Sequence, residues 1–128
     1  MEQKITEGVS IKVVTFYLDD QSHALNNEYF FAYRITMQNL SKFPVKLLSR
    51  YWDIFDSNGT RRVVEGDGVV GQQPTLEPGQ EYKYTSACNL RTDIGKMGGY
   101  YVFENLFDKG KFKVLIPEFQ LIVPAKFN

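Results

Sequence analysis

Apolar residues recur at every second position through most of this chain, the period of an extended strand with one buried face. Val9, Ile11 and Val13 share one face of a run that continues to Phe16 and Tyr17. Asp19-Asp20-Gln21-Ser22-His23 and Asn26-Asn27 then form a polar cluster between two apolar runs, which predicts a hairpin connection. Over residues 29–39, Phe31, Tyr33, Ile35 and Met37 fall on one face, with Ala32, Arg34, Thr36 and Gln38 on the other. Asn39-Leu40-Ser41-Lys42 turns the chain, and Pro44 stops any helix. A third run, 45–55, sets Leu48, Arg50, Trp52 and Ile54 on one face, with the only tryptophan as the expected core anchor.

Asp56-Ser57-Asn58-Gly59 closes that run, since Asn and Gly tolerate positive φ, and residues 61–65 can pair back as a short strand. Next comes Gly66-Asp67-Gly68-Val69-Val70-Gly71-Gln72-Gln73-Pro74, a density of glycine and proline that no helix or regular strand tolerates. It is expected to be a loop presented by the strands on either side. Leu76-Glu77-Pro78-Gly79 fits a type II turn, proline fixing φ and glycine supplying positive φ. Residues 81–88 alternate Tyr82, Tyr84, Ser86 and Cys88 against Glu81, Lys83, Thr85 and Ala87. Residues 89–99, with Gly95, Gly98 and Gly99, are expected to form a second loop. Strands follow at 100–103 and 111–116 around the turn Asp108-Lys109-Gly110. Pro117 then marks an edge strand or a bulge before Phe119, Leu121 and Val123 resume the alternation. About seven strands with regular turn signals and no helical period predict an all-β, immunoglobulin-like sandwich. The missing Cys…Trp…Cys spacing favours a fibronectin type III-like arrangement.

The 128 residues are expected to form one domain, 1–128, large enough to need no staple. Aromatic residues make up 15%, in keeping with β structure, and not all can point inward. Tyr29, Phe30, Tyr51, Tyr100 and Phe103 are candidates for an exposed apolar patch suited to a protein partner, while most of Phe16, Phe31, Tyr33, Trp52, Tyr82, Tyr84 and Phe112 should be core. Fifteen basic residues against fifteen acidic ones leave no electrostatic footprint for nucleic acid or anionic lipid. The N-terminal stretch lacks the apolar core of a signal peptide, no run could span a bilayer, and a single cysteine, Cys88, forms no internal disulfide. A cytoplasmic location is the expectation.

At this point the residues resemble a known family. Arg50-x-Trp52-x-Ile54-x-Asp56-x-x-Gly59 is similar to the opening motif of ApaG proteins, and Gly66-x-Gly68-Val69-Val70-Gly71-x-x-Pro74 resembles their signature loop. Leu76-x-Pro78-Gly79, Tyr84-x-Ser86, Leu90-x-Thr92-x-x-Gly95-x-Met97-x-Gly99 and Ile116-Pro117-x-Phe119-x-Leu121 resemble the later blocks, in the family's order. Asp67 stands where the family has glutamate, and Phe55 where a small polar residue is usual. The resemblance implies a fibronectin type III-like sandwich, an association by name with cobalt and magnesium resistance and efflux, and a protein-interaction role. Related domains occur in eukaryotic F-box proteins and in a polymerase delta-interacting protein. No catalytic mechanism comes with it.

The signature loop reads literally as G-x-G-x-x-G, but a dinucleotide site needs a helix after it, and Pro74 and Pro78 forbid one. A weaker version remains, in which successive loop amides form an anion nest, favoured by Arg61 and Arg62 and opposed by Asp67. Asp19, Asp20, His23 and Glu28 are the nearest approach to a metal-ligand cluster, but their spacing matches no established site and a solvated loop is the expected reading. Cys88 has no histidine nearby, so it reads as a small buried hydrophobe, and His23 has no nucleophile beside it. The leading expectation is therefore a non-enzymatic binding module without cofactor. Its contact residues would be Gly66, Asp67, Gly68, Val69, Val70, Gly71 and Pro74 with Arg61, Arg62 and Met97, meeting an unidentified protein partner or, through a strand edge, a second copy. The alternative is a small-ligand protein that binds divalent metal or phosphate and pyrophosphate at the glycine-rich loop in support of ion homeostasis.

Overall fold

The computed structural model describes residues 1–124; residues 125–128, part of the expected domain, lie outside the described residues. Among the described residues nine strands form two packed sheets: β1 (Glu2–Thr6), β2 (Val9–Tyr17), β3 (Tyr29–Asn39), β4 (Val45–Asp56), β5 (Arg61–Asp67), β6 (Thr75–Leu76), β7 (Glu81–Leu90), β8 (Ile94–Asn105) and β9 (Lys111–Ile122). One sheet runs β1-β2-β3-β7; the other runs β5-β4-β8-β9, with β6 also paired to β4. This is the expected all-β sandwich, with β1 and the two-residue β6 added to the strands that the sequence announces. Two short 3-10 turns, Asp19–Gln21 and Ala24–Asn26, lie in the β2–β3 connection. Among the described residues no helix is long and apolar enough to cross a membrane.

Inward positions of both sheets make the core. Trp52 sits at its centre, with ring contacts of 5.1 Å to Tyr33, 5.9 Å to Phe119 and 6.3 Å to Tyr101. Phe16 is an exception to the expected aromatic core, exposed under the Arg34 guanidinium. Phe103, in contrast, is fully buried and leaves the expected exposed set. Asn39 ends β3 as a buried amide whose polar atoms are all used. Its Nδ2 donates to the carbonyls of Phe43 and Leu76, and its Oδ1 accepts from Ser41. The β6–β7 turn is as expected: Gly79 has φ +88° and the Gln80 amide donates to the Glu77 carbonyl.

Two bulges change which side chains face inward. On β4, Leu47 pairs with Phe103 and Ser49 with Val102, so Leu48 is an extra residue. The buried set therefore switches from Val45 and Leu47 to Trp52 and Ile54, and Leu48 does not belong to the Trp52 face as the uninterrupted alternation would have it. On β9, Pro117 and Glu118 together oppose Gly98 of β8, so the edge strand carries the bulge at its proline.

The second expected loop, 89–99, is a correction: only Arg91, Thr92 and Asp93 lie outside the strands, and Gly95, Gly98 and Gly99 are in β8. Close approach explains Gly95 and Gly99. A Cβ on Gly95 would stand 2.6 Å from the Phe55 carbonyl oxygen, and one on Gly99, at φ +151°, would stand 1.9 Å from that of Tyr51. These glycines let β8 pair tightly with β4 rather than turn the chain.

Candidate binding site

β5 and β6 are two pieces of one edge. Both pair antiparallel with β4, Asp67 facing Ser49 and Thr75 facing Lys46. Along β4 three steps separate those partners, whereas eight separate them on the other side, so the signature loop is an excursion from an edge strand. The Leu48 bulge holds its base: the Leu48 carbonyl accepts from the Gly68 amide and from Gln73 Nε2, each at 2.9 Å. The Leu47 amide donates to the Pro74 carbonyl at 3.0 Å.

Within the excursion, Val69 and Gln72 exchange both backbone hydrogen bonds around Val70 and Gly71, whose φ values are +47° and +77°. That is a two-residue turn with both central residues left-handed, and valine is poorly suited to it because its branched Cβ crowds the backbone. Val69 is fully buried while Val70 is 64% exposed. One valine pins the loop to the core and the other is displayed. Gly68, at φ +64°, admits no side chain, since a Cβ would meet the Gln72 carbonyl oxygen at 2.4 Å. The amides of Gly68, Val69 and Gln72 are spent on these internal bonds, which leaves little of an anion nest.

Arg61 and Arg62, adjacent on a strand, point to opposite faces. Arg61 lies on the outer face of its sheet, ion-paired with Asp53 and donating to Tyr51 Oη at 3.3 Å. Arg62 reaches across the open flank of the sandwich and donates to the Asn89 carbonyl at 2.5 Å and to Cys88 Sγ at 3.5 Å. Neither arginine is bonded to the signature loop. The cation that is bonded there is Arg50, whose Nη1 donates to the carbonyls of Asp67 and Gly68 at 3.0 and 2.9 Å. Gly66, directly opposite, makes room: a Cβ there would lie 3.2 Å from Nη1.

Between β5 and β7 the two sheets part into a cleft of about 190 Å³, lined by Arg50, Arg62, Tyr33, Ser86 and Cys88 over Trp52 and the buried Met97. Beneath it, Tyr84 and Tyr101 share a buried hydroxyl–hydroxyl hydrogen bond of 2.5 Å. Burial pushes the hydroxyls of Tyr33, Tyr84 and Tyr101 up from the ordinary tyrosine value, while Arg50 pulls each the other way. Burial likewise raises the Cys88 thiol against the pull of Arg62, so it is held as the unreactive thiol. Arg50 opens the family-like motif but is not among the contact residues expected from the sequence, although the signal is there: a guanidinium on the same alternating face as Trp52 and Ile54.

Asp19, Asp20, His23 and Glu28 do not gather, and among the described residues no group of three or more such side chains could hold a metal ion. Asp56 proves structural: its carboxylate accepts from the Arg91 and Ser57 amides and the Thr92 hydroxyl, tying the β7–β8 connection to the end of β4. On the outer face of the same sheet, Tyr51 and Tyr100 stack at 4.9 Å, and Leu115 of β9 continues their row.

A fibronectin-like sandwich of two sheets, with a loop pinned to its core and an open edge strand, places the chain among the small β-sandwich domains. The ApaG domain model matches residues 19–105, and the chain belongs to the ApaG family. It is 46% identical to Protein ApaG of Brucella anthropi over 98% of this chain and 96% of that protein, and 44% identical to Protein ApaG of Brucella canis over 98% and 96%. A crystal structure of a Bordetella pertussis protein called ApaA superposes with a TM-score of 0.87 at 38% identity, covering 95% of each chain. A second X-ray structure from the same structural genomics effort gives 0.86 at 35% identity, covering 93% of this chain and 89% of that one.

Proposed function

We propose that the chain works by binding a protein partner through the outer face of the β5-β4-β8-β9 sheet together with β5 and the tip of the signature loop. The observation that carries this reading is the row Tyr51, Tyr100 and Leu115, aligned across three strands on an outward face that a solitary sandwich has no need to make apolar. Lys113 lies over the Tyr100 ring at 4.3 Å, and Arg61 and Lys96 flank Phe55 at 5.8 and 5.3 Å, giving the row the aromatic centre and charged rim of a contact surface. Val63, about two-fifths exposed on β5, and Val70 at the loop tip extend it. β5 also ends the sheet with an unpaired backbone edge that a partner strand, or β5 of a second copy, could join.

The test is affinity capture from cell extract with three immobilised proteins: wild type, Tyr51→Ala/Tyr100→Ala, and Val70→Gly. A specific protein should be retained by wild type and lost with the double variant. Val70→Gly should weaken capture while keeping the fold, since glycine suits the turn. Equal retention by all three would remove the outer face and loop from the interaction.

A further inference from the structure

We infer that the cleft between β5 and β7 is a carboxylate site, with Arg50 as the primary ligand and Arg62 as a second cation. Arg50 has both Nη1 hydrogens committed to the carbonyls of Asp67 and Gly68. That fixes the plane of the guanidinium and leaves its Nε–Nη2 edge without a protein partner among the described residues, an arrangement shaped for the two oxygens of a planar carboxylate. Among the described residues, no ion pair is formed by Arg50 or Arg62, and no acidic side chain lines the cleft that they share. The two guanidinia line one opening with no carboxylate between them, so an entering anion meets both charges.

The remaining lining fits the same ligand. The Tyr33 and Ser86 hydroxyls supply polar contacts beside the guanidinia, and Trp52 and Met97 form an apolar floor for a short methylene chain. The cleft volume of about 190 Å³ admits a glutamate-sized group and little more. A second opening of about 280 Å³ shares Ile54, Arg62 and Asn89 with it, so a longer ligand has somewhere to continue. This site lies between the sheets, apart from the outer-face row, and loss of one leaves the other in place. The carboxylate could belong to a free small diacid or to an acidic side chain of a partner segment lying along the β5 edge.

The experiment is a ¹H–¹⁵N NMR titration of the full chain that follows the Arg50 and Arg62 side-chain Nε–H signals. The probes are glutarate, its neutral analogue glutaramide, inorganic phosphate, and a capped Thr-Val-Glu-Val-Thr peptide. Saturable movement of the Arg50 signal with glutarate or with the peptide is expected, at low-millimolar ligand. The tighter of the two identifies a free acid or a partner side chain as the source. Arg62→Gln should keep the wild-type spectrum elsewhere and weaken binding about tenfold, the loss of one charge-assisted contact. Arg50→Lys, which keeps the charge without the fork, should abolish the saturable shift, and Tyr51→Ala/Tyr100→Ala should leave it unchanged. Equal response to glutaramide, tighter binding of phosphate, or no saturable shift in the wild-type protein would each overturn the assignment.

Discussion

At the scale of single residues, two neighbouring glycines separate necessity from convenience. Gly99 combines φ +151° with a carbonyl oxygen where its Cβ would be, whereas a Cβ on Gly98 meets nothing nearer than Glu118 at 3.8 Å. Gly99→Ala must therefore push β8 away from β4 beside Trp52 as well as strain the backbone. It should lower the unfolding free energy by about 3 kcal/mol or more. Gly98→Ala, one residue away on the solvent face, should change it by less than about 1 kcal/mol. Urea denaturation of the two variants makes the comparison. Similar losses in both would mean that β8 needs flexibility in general rather than contact at one position.

At the scale of elements, Asp56 shows how one side chain can join two of them. Its carboxylate receives donors from the turn that follows β4 and from residues 91 and 92, the point where the chain leaves one sheet for the other. Asp56→Ala should cost about 2–3 kcal/mol, since hydrogen bonds to a charged acceptor are lost and amides are left without it. It should also speed amide hydrogen exchange at Arg91 more than at the β4 amides. Uniform exchange would place the carboxylate's contribution elsewhere. The sequence made most of this architecture legible, because period-two alternation announces β2, β3 and β7 and turn chemistry announces their ends. It failed where one residue type serves two purposes. Glycine at 68 and 71 bends the chain, and glycine at 95 and 99 lets strands approach, yet composition alone cannot tell the two uses apart. The bulge at Leu48 left no mark either, because leucines at 47 and 48 suit both faces, and so the carbonyl that anchors the signature loop was not foreseen. β1 escaped notice for a different reason: Glu2–Thr6 is almost wholly exposed, so no apolar period betrays it.

At the scale of the whole molecule, the two flanks of the sandwich are unlike. On one, β1 and β9 meet, the Leu115 amide donating to Thr6 Oγ1 at 3.3 Å; on the other, β5 and β7 stand apart over Arg50, Arg62 and the tyrosine hydroxyls. That polar interior has a pH signature whose sign follows from its chemistry. Tyrosine in an unfolded chain ionises near 10, and burial raises Tyr33, Tyr84 and Tyr101 above that. Below the unfolded value all three are neutral in both states, and their contribution to stability is fully present. Above it the unfolded chain releases protons that the native protein keeps, so stability falls as pH rises. The loss should approach about 1.4 kcal/mol per pH unit for each tyrosine, or about 4 for the three, until the native hydroxyls ionise in turn. Cys88, raised from 9.0, begins the decline slightly earlier. Unfolding free energies from urea titrations should thus be level through neutral pH and drop steeply past pH 10, and Tyr84→Phe should flatten the drop by one proton's worth. An unchanged slope in that variant would mean that the Tyr84–Tyr101 pair is open to water, and with it the floor beneath the cleft.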